Sequence, residues 1–113
     1  MNNLMNPKYP KGRNLFKDKN ILITAAAGSG IGFSTAKRFL EEGANIFISD
    51  VHQGRLDDSI DDLRKLDLGK VNGCLCNVTK DEEIETMFKE AIACFSHLDG
   101  VINNCLLYTS DAA

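Results

Sequence analysis

Thr24-Ala25-Ala26-Ala27-Gly28-Ser29-Gly30-Ile31-Gly32 lies between an apolar run and an amphipathic one, and its residue types suit an anion cradle. Small side chains at Ala25, Ala26, Ala27, Gly28, Gly30 and Gly32 let a ligand approach the backbone closely. The free N–H groups of a helix start would face that ligand, and the helix dipole favours negative charge. A pyrophosphate is the expected guest. Glycine-rich turns also serve tight strand–helix packing, and the G-x-G-x-x-G fingerprint is not met, because Phe33 stands where its third glycine belongs. Asp50 supplies a second group. It follows Gly30 by twenty residues, at the expected carboxyl end of a second strand, where a carboxylate can accept both hydroxyls of an adenosine ribose. A 2′-phosphate would meet like charge there, so the combination points to NAD over NADP.

The elements that must position these groups are visible in the periodicity. NILIT (20–24) is continuously apolar, as a strand buried on both faces of a parallel sheet would be. IGFSTAKRFLEEG repeats Ile31, Ala36, Phe39 and Leu40 near helical spacing, with Gly43 as a stop. NIFISD (45–50) is a second buried strand. Leu56, Ile60, Leu63 and Leu66 form the stripe of a second helix, and KVNGCLCNVT holds a third strand. Ile84, Met87, Phe88, Ala91, Ile92 and Phe95 step by three and four along a third helix, which Thr79 or Asp81 could cap. GVIN is the fourth strand. The order β-α-β-α-β-α-β, with right-handed crossovers, predicts an α/β doubly wound parallel sheet; the expected arrangement is the Rossmann-type order 3-2-1-4, which the family resemblance given below implies.

Composition sets the outer limits. A chain of 113 residues with 43% hydrophobic and 26% charged residues has room for one domain of ordinary globular character. The formal net charge of −3 gives no electrostatic case for nucleic acid or an anionic membrane. No apolar stretch is long enough to span a bilayer, and MNNLMNPKYPKGRNLF lacks an apolar signal core, so the expected location is cytoplasmic. Residues 1–18, with basic side chains spaced by polar residues and proline, are expected to be a flexible arm. Cys74, Cys76, Cys94 and Cys105 have neither C-x-x-C spacing nor a histidine cluster, so no metal site is expected and buried thiols are.

With these motifs in view, the chain resembles the short-chain dehydrogenase/reductase family. That family's phosphate turn reads T-G-x-x-x-G-x-G. Gly30-Ile31-Gly32 match its end, Ala26 stands in for its first glycine, and Thr24 sits one residue early. Cys76-Asn77-Val78-Thr79 resembles the family's D-V-[ST] segment, which implies that Asn77 contacts adenine with Val78 near the ring. Ile102-Asn103-Asn104 matches the start of N-N-A-G, which implies that Asn104 borders the cofactor ribose and steadies the central sheet. The cofactor-binding set so implied is Ala26, Gly28, Ser29, Gly30, Ile31, Gly32, Asp50, Val51, Asn77, Val78 and Asn104, within a dinucleotide-binding unit over residues 19–104.

The resemblance further implies an NAD(P)-dependent oxidoreductase of the 3-oxoacyl-carrier-protein reductase or hydroxysteroid dehydrogenase kind. Its substrate would be a small ketone or secondary alcohol, and its full-length form a homo-oligomer. Its catalytic serine and Tyr-x-x-x-Lys pair have no counterpart here: Tyr9 is followed four residues on by Arg13, and Tyr108 by Ala112. Cys105 and Leu106 replace the expected Ala-Gly. CLLYTSDAA resembles the translation of a transposon-end sequencing adapter, so residues 105–113 are expected to be a non-native tail. The chain is then an inactive amino-terminal half whose fourth strand is an exposed apolar edge. Two other classes fit parts of the pattern: a dinucleotide-binding module without catalysis, and an S-adenosylmethionine-dependent methyltransferase. The paired asparagines and the long alanine-rich turn speak against the latter.

Overall fold

The computed structural model describes residues 8–27 and 30–104. Four parallel strands, β1 (Asn20–Ile23), β2 (Asn45–Asp50), β3 (Val71–Leu75) and β4 (Gly100–Ile102), alternate with helices α1 (Ile31–Glu41), α2 (Gln53–Arg64) and α3 (Asp81–Phe95). The sheet order is β3-β2-β1-β4, as the sequence predicts for a Rossmann-type unit. β1 is central, with Ile21 paired to Ile46 on one side and to Gly100 on the other.

Alternation along β1 and β2 explains why both are apolar throughout. Ile21, Ile23, Ile46 and Ile48 point to one face, where Ala36 and Leu40 of α1 and Leu56 and Leu63 of α2 cover them. Leu22 and Phe47 point to the other, against Met87, Ala91 and Phe95 of α3. The rings of Phe47 and Phe95 meet edge to face at 6.4 Å. Each large side chain so buried contributes about 1.5–3 kcal/mol, enough in sum to hold helices on both faces. Among the described residues, β4 is less covered. It pairs with β1 as an edge, and Val101 and Ile102 are exposed, as expected for an apolar strand at the margin.

Several local expectations need correction. Neither Thr79 nor Asp81 caps α3: Lys80 holds the cap position without a side-chain bond, and Asp81 is the first helical residue. Glu83 instead reaches back to accept from the Asn77 N–H at 2.8 Å. Ile31, Leu66 and Ile92 leave their expected stripes and are exposed. Ile31 opens its helix at the turn and Leu66 lies past the end of α2, so neither has a partner element to face. Of the cysteines, Cys76 is buried, Cys74 half-buried and Cys94 exposed on α3; Cys105 lies outside the described residues. Burial pushes the Cys74 thiol up to about 12, with Glu90 adding to the effect, so it stays protonated at neutral pH.

Residues 8–19 are exposed, yet they make specific contacts along α1. Tyr9 donates its hydroxyl to Glu41, and Arg38 sits 5.1 Å from the Tyr9 ring centre. The Arg38 guanidinium donates to the Pro10 carbonyl at 2.7 Å and to Glu42 at 2.6 Å. Glu42 also accepts from the backbone N–H groups of Arg13 and Leu15, at 2.7 and 3.2 Å. Phe16 meets Phe39 edge to face at 4.8 Å. Gly43, at φ +94°, lets Lys17 pass so closely that a Cβ there would lie 2.9 Å from its Cα.

The Arg13 N–H above all, then that of Leu15 and the charge of Arg38, holds the Glu42 carboxyl below its ordinary 4.5. A carboxyl depressed by folding contributes stability above its unfolded value and loses it as pH falls through the folded one. Thermal melts between pH 6 and 3 should therefore show an acid-labile component, and Glu42→Gln should flatten that limb while lowering the melting temperature at pH 6.

Candidate functional site

In a parallel sheet every strand ends on the same edge, so the chain leaving β1, β2, β3 and β4 converges there. The Thr24 hydroxyl is the knot. It donates to Asn103 Oδ1 at 3.0 Å and accepts from the Asn104 N–H at 3.0 Å, while the Thr24 N–H reaches the Ile102 carbonyl at 3.0 Å. Asn104 then donates its side-chain amide to the Ala25 carbonyl at 3.3 Å. Ala25 sits at φ +50°, turning the chain away from the strand direction.

The two glycines of the turn play opposite parts. A Cβ on Gly32 would fall 2.7 Å from the Ala25 oxygen, 2.7 Å from Asn104 Nδ2 and 2.8 Å from the Ala26 Cα, so the helix can lie this close to the turn only without a side chain. A Cβ on Gly30 would meet nothing within 4 Å among the described residues. At φ −87° its backbone is open to any residue. Neither packing nor conformation within the chain calls for glycine there, which leaves the bare backbone beside open space at the start of α1. Gly30 is the helix N-cap without a side-chain bond, and the first turn has no acidic residue. Among the described residues, no acidic side chain of that turn offsets its N–H groups and dipole, so the helix start suits an anion.

Asp50 closes β2 and is 7% exposed at its side chain. Its carboxylate accepts from the Ala27 N–H at 3.3 Å, the His52 N–H at 3.0 Å and Arg55 Nη2 at 3.2 Å. It thus ties the phosphate turn to the start of α2, where His52 accepts the Arg55 N–H as the helix cap. Val51, next in line, is 59% exposed. Asn77 is half-buried, and its Oδ1 accepts from the N–H and hydroxyl of Thr79 at 3.0 and 2.7 Å. Its Nδ2 group is the part left to meet a ligand.

The remaining candidates divide. Ile31 is 68% exposed at the turn, beside Gly30. Ala26 is fully buried, its N–H donating to the Ser49 carbonyl at 3.0 Å, so its side chain belongs to the core. Val78 packs toward the α3 side and lines a cavity of about 370 Å³ with Thr24, Met87, Val101 and Asn103. Gly28 and Ser29 lie outside the described residues. Two participants escaped sequence reasoning. The pairing of Arg55 with Asp50 spans a strand-to-helix corner, where no helical or strand spacing signals it. The anchoring role of Thr24 depends on a contact 80 residues away in sequence. Among the described residues no group of three His, Cys, Asp or Glu side chains could hold a metal ion, and no helix is long and apolar enough to cross a membrane.

A doubly wound sheet with an anion-receptive turn after β1 and an acid after β2 defines a dinucleotide-fold protein. Comparison with known proteins narrows the class. The sequence model of the short chain dehydrogenase family matches residues 19–111. The chain belongs to the short-chain dehydrogenase/reductase family of NAD(P)-dependent oxidoreductases.

Among curated relatives it is 39% identical over 104 residues to (5R,7aS)-5-hydroxy-7a-methyl-1-oxo-2,3,5,6,7,7a-hexahydro-1H-indene-carboxyl-CoA reductase of Mycobacterium tuberculosis, covering 92% of this chain and 40% of that protein. It is 30% identical to 7alpha-hydroxysteroid dehydrogenase of Escherichia coli, covering 80% of this chain and 35% of that one. A short chain dehydrogenase from Mycobacterium smegmatis superposes with a TM-score of 0.84 at 43% identity, over 87% of this chain and 41% of that structure. An actinorhodin polyketide ketoreductase, solved with NADPH, superposes at 0.73 and 28% identity, over 77% of this chain and 33% of that structure. The chain spans 41% or less of the length of each of these proteins.

The contrast between the glycines is directly testable. Gly32→Ala should cost about 1–3 kcal/mol through overpacking, read as a lowered thermal or denaturant midpoint. Gly30→Ala should lower it by less, through the weaker capping tendency of alanine alone.

Proposed function

We propose that this chain is the amino-terminal, cofactor-binding part of an NAD(P)-dependent oxidoreductase acting on a ketone or secondary alcohol. The observation that carries the reading is the bare backbone at Gly30, set at an uncompensated helix start within one sheet edge that also holds Asp50 and Asn104. In this arrangement Gly30, Gly32 and the exposed Ile31 border the pyrophosphate, with Gly28 and Ser29 completing the turn. Asp50 receives the adenosine ribose. Val51, Val78 and Asn77 face adenine, and Asn104 lies toward the second ribose. Ala26 supports the cradle from the core side.

The bound nicotinamide would supply hydride exchange with the carbonyl carbon of the substrate. What these residues contribute is binding and orientation. The Asp50 charge favours NAD over NADP, since it repels a 2′-phosphate and attracts ribose hydroxyls. The relatives, a hydroxysteroid dehydrogenase and a fused-ring carboxyl-CoA reductase, support an alicyclic or acyl-thioester carbonyl compound as substrate. No Tyr-x-x-x-Lys occurs in the sequence. We assign the acid–base groups to the part of such a protein that this chain does not span. The same absence is what a non-catalytic binding module would show.

Titration with NADH, followed by its fluorescence, should give saturable binding that Gly30→Ala weakens by about tenfold, because a Cβ would occupy the cradle. S-adenosylmethionine should not compete. Saturable S-adenosylmethionine binding without NADH binding would overturn the reading. The 113-residue chain should show no dehydrogenase turnover above background. Sequencing the source gene past the Asn104 codon should reveal a serine and a Tyr-x-x-x-Lys in frame; their absence would leave the binding module.

A further inference from the structure

β3 is the outer strand of the sheet on the side away from β4, and one side chain lies across its rim. The Lys70 carbonyl takes the Ile46 N–H and the Asp50 carbonyl takes the Cys76 N–H, at 2.8 and 2.9 Å. In that register the even-numbered residues of β3 bond to β2, while Val71, Gly73 and Leu75 turn their backbone N–H and carbonyl groups outward. Such a row is a template for another strand. Arg64, in the last turn of α2, interrupts it. Its Nε donates to the Val71 carbonyl at 2.9 Å and its Nη2 to Asn72 Oδ1 at 2.8 Å. α2 covers the face to which Gly73 belongs, where a Cβ would meet Ile60 Cδ1 at 3.1 Å. Alternation puts Asn72 on the other face, in register with Phe47, which packs toward α3. The guanidinium therefore starts on one face, crosses the rim and is tied to the opposite side. Among the described residues, the outward groups of Gly73 and Leu75 take no partner, and the Leu75 side chain is exposed.

We propose that Arg64 closes the β3 edge against strand pairing with a second copy of this chain. The latent partner is β3 of that copy, because two equal edges related by a twofold axis run antiparallel and complement each other, so that one contact closes the assembly as a dimer. A second strand could approach only after Arg64 gave up both of its bonds. With the Val71 carbonyl taken and a charge held at the rim, the outward row is cut to Gly73 and Leu75, shorter than an ordinary strand. The fork of the guanidinium, with Nε on a carbonyl and Nη2 on an amide oxygen, is what lets one side chain span the edge; an ammonium has no such fork. This holds whatever ligand the strand ends receive.

Sedimentation and amide hydrogen exchange of the 113-residue chain, unaltered and as Arg64→Met, provide the test. Methionine keeps the stem and the helical tendency and removes only the donors and the charge. Over a concentration series the average mass of Arg64→Met should rise toward that of a dimer, beyond any rise in the unaltered chain. The Gly73 and Leu75 amides should then exchange about tenfold more slowly in the associated state. Arg64→Lys should associate less than Arg64→Met. Adding Leu75→Lys to Arg64→Met should bring the mass back down, since it places a charge on the pairing edge without restoring the bond to Val71. Equal masses for Arg64→Met and the unaltered chain would overturn the proposal. So would association that slows exchange in β4 alone, which would put the contact at the other edge. If Arg64→Met loses its helical circular dichroism, Arg64→Gln takes its place and is judged by the same two readouts.

Discussion

The close approach of α1 to the turn that precedes it governs the geometry of this sheet edge. Gly32 packs without a side chain onto the Ala25 carbonyl and the Asn104 amide, and that amide is itself anchored through the Thr24 hydroxyl and the backbone leaving β4. A larger residue at position 32 would push the helix outward. The N–H groups at its start would then move away from the edge where the strands end. The anion-receptive character of the turn is thus a consequence of packing as much as of glycine content. Thr24, Asn103 and Asn104 add side-chain bonds at the end of the ladder that joins the first and fourth strands.

Asp50 extends that arrangement to the second strand. A carboxylate this buried needs donors, and it receives two backbone N–H groups and one guanidinium. One of those N–H groups belongs to the phosphate turn and the other to the residue capping α2. The same carboxylate that would recognise a ribose also holds the turn against the next helix. On the cofactor reading proposed above, recognition and scaffold would share this group, and a change at Asp50 would register on both.

At the far end of α1 the approach segment performs a similar service. Glu42, buried at the helix end, gathers two backbone N–H groups from the chain before β1 and the guanidinium of Arg38. Exposed surface ion pairs contribute little on their own. This one is backed by backbone donors and by the Phe16–Phe39 contact, which makes it a network. Residues 13–17 are thereby laid along α1, although every one of them is exposed.

The sequence by itself determined the sheet. Strands buried on both faces must be apolar at every position, and helices with one covered face must repeat every three or four residues. Those periodicities survive without knowledge of any contact and give the order of elements along the chain, while the order of strands across the sheet came from the family resemblance. The turn and Asp50 were legible for the same reason, since both lie at fixed offsets from strand ends. Only the tertiary structure decided which glycine is packed and which is open, because that depends on Asn104, 72 residues from Gly32. It also decided that Ala26 faces the core, that Arg55 engages Asp50 around a corner, and that a polar, basic leader lies against α1. Each of these rests on side chains distant in sequence or on a turn whose direction no local periodicity encodes.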